Sequence, residues 1–174
     1  MKKLFILSSF VFVSMQMMAQ APSSNEITKK NSWLKMGLNA GVPVGDLADV
    51  SSFTLGVELK GQLMETNHVG IGLTTGYNHF FAKNNFSSFG IVPLGAFVRV
   101  YPKSEGFFAG LDGGYSIITN IQDAKGGVYL RPQLGYHNYD WNVFAYYNNI
   151  FRSNENGGNL AHVGIGATYN IRFN

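Results

Sequence analysis

Leu160-Ala-His-Val-Gly-Ile-Gly-Ala-Thr-Tyr-Asn-Ile-Arg-Phe-Asn174 decides the fold. Ala161, Val163, Ile165, Ala167, Tyr169, Ile171 and Phe173 alternate with His162, Gly164, Gly166, Thr168, Asn170 and Arg172. Successive side chains of a β-strand point to opposite faces, so this stretch reads as a strand with one apolar face and one polar, glycine-rich face.

Working back from this strand, the same period recurs seven times, over 33–44, 52–64, 68–81, 89–101, 107–118, 128–139 and 141–151. Each segment is long for a soluble strand, where about five or six residues is usual. A tilted strand crossing a bilayer core needs about 9–11 residues, which fits. The connections alternate in character. Residues 64–67, 102–106 and 138–140 are short turns, whereas 43–51, 82–88, 119–127 and 152–159 are longer and polar. Short turns on the periplasmic side and longer loops outside are the asymmetry expected of an outer-membrane barrel. The expected fold is an all-β, eight-stranded antiparallel up-and-down transmembrane β-barrel over 32–174. An open sheet edge in lipid would leave a row of backbone groups unpaired, so strand eight must meet strand one.

Alternation alone does not say which face points outward, and a soluble barrel around a ligand has the same period. Three features favour a lipid-facing apolar side. Lys35, Glu58, Lys60, Arg99, Asp112, Arg131 and Arg172 all sit within segments on the polar face. That face also holds most of the glycine, which suits the narrow lumen of eight strands. Aromatic residues of the apolar face gather near segment ends. Trp33, Phe107, Trp141 and Phe173 fall at one rim and Phe53, Tyr77, Phe81, Tyr115 and Tyr147 at the other, as in membrane girdles.

The chain begins with Lys2 and Lys3, an apolar run from Leu4 to Val13, and small residues up to Ala19-Gln20-Ala21. This is the form of a secretory signal peptide. The expected division is 1–19 signal peptide, 20–31 flexible periplasmic lead-in and 32–174 barrel, with cleavage after Ala19 preferred over Ala21 because Pro22 follows the latter. The two lysines leave with the signal, so the mature chain has eleven basic and ten acidic residues, a net +1. Such a balance argues against nucleic-acid binding. The chain has no cysteine, which excludes disulfides, a cysteine-anchored lipid and a thiolate metal site.

The terminal strand, the signal peptide ending at Ala19-Gln20 and the segment Ile91-Val-Pro-Leu-Gly-Ala-Phe-Val-Arg-Val-Tyr-Pro102 resemble the outer-membrane β-barrel domain family of Bacteroidetes, related in form to small OmpX- and OmpA-type barrels. The resemblance covers 32–174. It implies recognition by the barrel assembly machinery through a terminal Gly-x-x-aromatic-x-apolar pattern, matched by Gly166, Tyr169 and Ile171. Phe173 extends the pattern, and Asn174 after it departs from the family form.

Few residues suggest chemistry. His68, His79, His137 and His162 are scattered and lack metal-ligand spacing. His79, His162, Asp46, Asp49 and Asp123 could meet at an outer-rim active site, but no motif links them. The glycines of Gly70-Ile-Gly-Leu-Thr-Thr-Gly76 have the even spacing of a lumen-facing strand rather than a phosphate loop. The lumen charges Glu58, Lys60, Arg99, Asp112, Arg131 and Arg172 are expected to form an ion network. Its two readings are a plug that pins register and a narrow anion-favouring path. The expected protein is thus a monomeric outer-membrane barrel, not an enzyme, without cofactor, metal or catalytic site. Its partners are the lipid bilayer and an unidentified loop partner, with no nucleic acid, and its role is structural or one of surface interaction through its extracellular loops. A narrow transport or small-ligand barrel is the alternative, and an outer-membrane enzyme the third.

Overall fold

In the computed structural model the described residues are 33–65, 68–83 and 86–172. The expected signal peptide, the lead-in, Phe173 and Asn174 lie outside them. Eight strands follow in sequence order: β1 (Leu34–Val44), β2 (Ser51–Glu65), β3 (Val69–Ala82), β4 (Phe89–Val100), β5 (Gly106–Thr119), β6 (Gly127–His137), β7 (Trp141–Phe151) and β8 (Leu160–Ile171). Each pairs antiparallel with the next, and β8 returns to β1 from Leu34↔Ile171 to Val44↔Ala161, which closes the barrel. Among the described residues no helix is long and apolar enough to cross a membrane.

The faces fall as the period predicts. Leu38, Leu134 and Phe107 are 68–70% exposed on the outside, while Lys35, Lys60, Arg99 and Asp112 are buried inside. This is the inverse of a soluble ligand-binding barrel. Trp141 packs edge-on against Tyr169 (5.0 Å) at the rim of short turns, and Phe53 stacks on Phe81 (4.3 Å) at the rim of longer loops. The 11 residues of β7 from Trp141 to Phe151 span roughly 26 Å of height at about 3.4 Å per residue and a tilt of about 40°, which matches an apolar band of about 25 Å.

Large inward side chains lie over glycines of the adjacent strand. Phe97 sits opposite Gly72, Phe144 opposite Gly166, and Tyr146 opposite Gly164. A Cβ at any of these glycines would come within 2.6–2.7 Å of the ring it faces. The lumen therefore accommodates aromatic rings because its wall lacks side chains across from them.

Strand ends shift by one or two residues from expectation. β6 ends at His137 rather than Tyr139, because Asn138 Oδ1 accepts from the N–H groups of Asp140 (3.0 Å) and Trp141 (2.7 Å) and turns the chain early. β4 stops at Val100, two residues before Pro102. The outer loops, 45–50, 83–88, 120–126 and 152–159, are longer than the turns opposite them, though none exceeds eight residues. The first contains a single helical turn, α1 (Leu47–Val50), which buries Leu47 while Asp46 and Asp49 stay exposed.

Candidate functional site

Among the described residues the lumen is where the fold gathers buried charge, and it is layered. At the outer mouth Leu47, Phe80, Phe89, Ile91, Ile118, Tyr129, Ile150 and Leu160 form an apolar plug. Phe80 stacks on Phe89 at 4.9 Å and meets the edge of His162 at 5.1 Å. Leu47, carried on α1, is 2% exposed and closes the plug from above. Lys83 Nζ donates to Ala48 O at 2.6 Å and ties α1 to the end of β3.

Beneath lies the ion network. Asp112 Oδ2 accepts from Lys60 Nζ (2.7 Å), Arg131 Nη2 (2.7 Å), Arg131 Nε (3.1 Å) and Gln133 Nε2 (2.6 Å). Glu58 Oε2 accepts from Arg131 Nη2 at 2.5 Å, and Glu58 Oε1 lies 3.2 Å from Lys60 Nζ. Two carboxylates and two cations thus alternate in a closed cycle, drawn from β2, β5 and β6. Neutrality within that cycle is what lets four charges remain away from water.

Arg99 is fully buried and lies just outside the cycle. Its guanidinium stands 4.6 Å from the Phe108 ring centre, 5.6 Å from Phe97 and 5.7 Å from Phe144. Its Nη1 donates to Asn142 Oδ1 at 3.3 Å. The faces of three rings provide part of the electrostatic compensation that a carboxylate would otherwise give. Lys35 Nζ donates to Gln62 Oε1 at 2.9 Å nearer the short-turn end.

Arg172 is not a member of this network. It pairs with Asp140 and lies over Tyr139 at 3.8 Å. The last β1–β8 pair is Leu34↔Ile171, so position 172 falls past the end of the wall and reaches the β6–β7 turn at the rim. That turn also holds the end of β8. The Asn170 N–H and Nδ2 groups donate to Asp140 O and Tyr139 O, each at 2.8 Å.

The residues considered for catalysis do not meet. His79 points outward and contacts the Tyr77 hydroxyl (3.1 Å), whereas His162 is buried in the lumen. Asp46, Asp49 and Asp123 stand exposed or on the loops. His68 Nδ1 contacts Tyr101 O, and His137 Nε2 contacts Lys103 O. Among the described residues no three His, Asp or Glu side chains converge as a metal site would require.

The apolar plug is the feature that strand periodicity alone passes over. Its signal lies in parity: positions 80, 91, 118 and 150 fall on the inward face yet are all Phe or Ile, and each is close to the outer end of its strand.

No protein-family model and no curated protein sequence matches the chain. Solved structures do match in fold. Ail, the attachment invasion locus protein of Yersinia pestis, aligns with a TM-score of 0.56 at 13% identity over 83% of this chain and 100% of its own. The N-terminal β-barrel domain of Pseudomonas aeruginosa OprF aligns at 0.52 and 13% identity, over 81% of this chain and 99% of that one. A de novo designed transmembrane β-barrel aligns at 0.50 and 17% identity, over 84% and 100%. The fold is that of the small eight-stranded outer-membrane barrels.

Proposed function

We propose that this chain is an integral outer-membrane barrel without catalytic activity, whose role is structural or one of surface interaction through its outer loops. The observation that carries the reading is the lumen, filled in turn by the apolar plug, the Glu58–Lys60–Asp112–Arg131 cycle and the ring-enclosed Arg99, beneath a lipid-compatible outer face. An eight-stranded barrel has room for little more than its own side chains. Exposed Phe86 and Ile121 in the outer loops supply apolar contact points facing the medium. The export signal over 1–19, membership of the Bacteroidetes barrel family, insertion by the barrel assembly machinery and a monomeric state belong to the same reading.

A second reading is a narrow anion path. It rests on the excess of Lys35, Lys60, Arg99 and Arg131 over Glu58 and Asp112 in the lumen. Planar-bilayer recording of the purified, folded protein separates the two. No steady conductance is expected; a steady anion-selective current would overturn the sealed-lumen reading.

A further inference from the structure

Between the apolar plug and the ion cycle is a small cavity of about 10 Å3. Asn39, Asn78, Ser116, Tyr129 and Asn148 line it, and every one is more than nine-tenths buried. In each, one polar atom has no partner within the protein: Asn39 Nδ2, Asn78 Oδ1, Ser116 Oγ, the Tyr129 hydroxyl and Asn148 Oδ1. Native interiors leave few such groups unbonded, so five around one cavity call for a common partner.

The wall points to the same place. The β3–β4 ladder runs from Val69↔Val100 to Thr75↔Leu94, skips the next two positions and resumes at Asn78↔Ile91. Pro93 lies in the gap and has no N–H to offer Gly76 C=O across it. The β6–β7 ladder skips two positions around Pro132 in the same way, between Leu130↔Asn149 and Gln133↔Tyr146. Gly76 and Pro93 from the first gap both line the cavity, whereas Pro132 and Tyr147, which face each other in the second, do not. In a membrane-embedded wall a carbonyl without a donor is unfavourable, and lipid cannot supply one.

We propose that this cavity is a binding site for one ordered water. It donates to Gly76 C=O in place of the missing proline N–H, and its second proton and two lone pairs serve up to three of the surrounding side-chain groups. The size fits, since a cavity of roughly 10–15 Å3 holds a single water that needs two to four polar partners. The chemistry fits as well. The unpartnered atoms mix an amide donor, two hydroxyls and two amide oxygens, so a water there finds both donors and acceptors. A metal cation would require acceptors only; the Asn39 amide presents a donor, and the one carboxylate lining the cavity, Glu58, is already held by Arg131 and Lys60. With the plug above and the ion cycle below, the water is held in place.

The test is a crystal structure of the full chain in detergent at a resolution that shows ordered water, with a parallel rubidium soak. The expected result is a density peak within hydrogen-bond distance of Gly76 O and at least two of the five side chains, with no anomalous signal. An absent peak, with the side chains bonded directly to one another, would overturn the proposal, as would an anomalous peak that marks a cation. Ser116→Val fills the cavity with methyl groups. It is expected to abolish the peak while heat-modifiable gel mobility is retained; an unmoved peak in the folded variant would overturn the assigned position.

Discussion

Replacing Asp112 by alanine removes the acceptor on which the lumen converges. Lys60, Arg131 and Gln133 lose their bonds to it, and Glu58 is left as the one carboxylate facing Lys60, Arg131 and Arg99. All of these groups are buried, so water does not take the place of the lost carboxylate. Breaking a buried pair by deleting one partner costs about 3–5 kcal/mol, which is roughly two to three and a half decades in the folding equilibrium at about 1.4 kcal/mol per decade. The measurement is denaturant unfolding of the barrel in phospholipid vesicles, followed by fluorescence of Trp33 and Trp141. Asp140→Ala is the internal control. Its pair with Arg172 is partly exposed at the rim, and such pairs contribute about 0–1 kcal/mol. Adding Lys60→Met to Asp112→Ala removes one uncompensated ammonium and is expected to recover part of the loss. An Asp112→Ala variant within about 1 kcal/mol of the parent, or a double variant whose losses simply add, would refute the closed ion cycle as a stabilising unit.

Other substitutions test the rest of the lumen. Gly166→Val places a Cβ 2.6 Å from the Phe144 ring and is expected to destabilise by at least the ~1–3 kcal/mol typical of overpacking, read in the same unfolding assay. Leu47→Ala leaves a cavity in the plug; it should cost about 2–5 kcal/mol by the same assay and still give no steady bilayer conductance, because the ion cycle below is intact. Asn138→Ala removes the acceptor for two turn amides and is expected to speed hydrogen exchange at Asp140 and Trp141, measured residue by residue, ahead of exchange in β2 and β3.

Strand positions and facing were legible in the sequence because a period of two is a local property. Leu38 points out and Lys60 points in for the same reason that their neighbours do the opposite. Pairings across the lumen were not legible. Lys60 meets Asp112 at a separation of 52 residues, and Arg131 meets Glu58 at 73. Which inward residues share a level depends on the register around the whole barrel, and no single strand encodes that. Arg172 shows the limit most directly: its parity is that of a lumen residue, yet its strand has no further β1 partner beyond Ile171, so its side chain turns to the rim. Leu47 shows the converse. It sits in an outer loop between Asp46 and Ala48, and only the fold of α1 brings it over the lumen. The glycines were legible as small inward residues, but their matching to Phe97, Phe144 and Tyr146 appears only once the strands are in register.

The central claim is a closed barrel that resides in the outer membrane with its apolar face in lipid. Cell fractionation followed by gel electrophoresis of unheated and boiled samples tests it most directly. The account predicts recovery with the outer-membrane fraction and a mobility that changes on boiling, as the closed β-barrel opens. Recovery as a soluble periplasmic protein with the same mobility in both samples would contradict it.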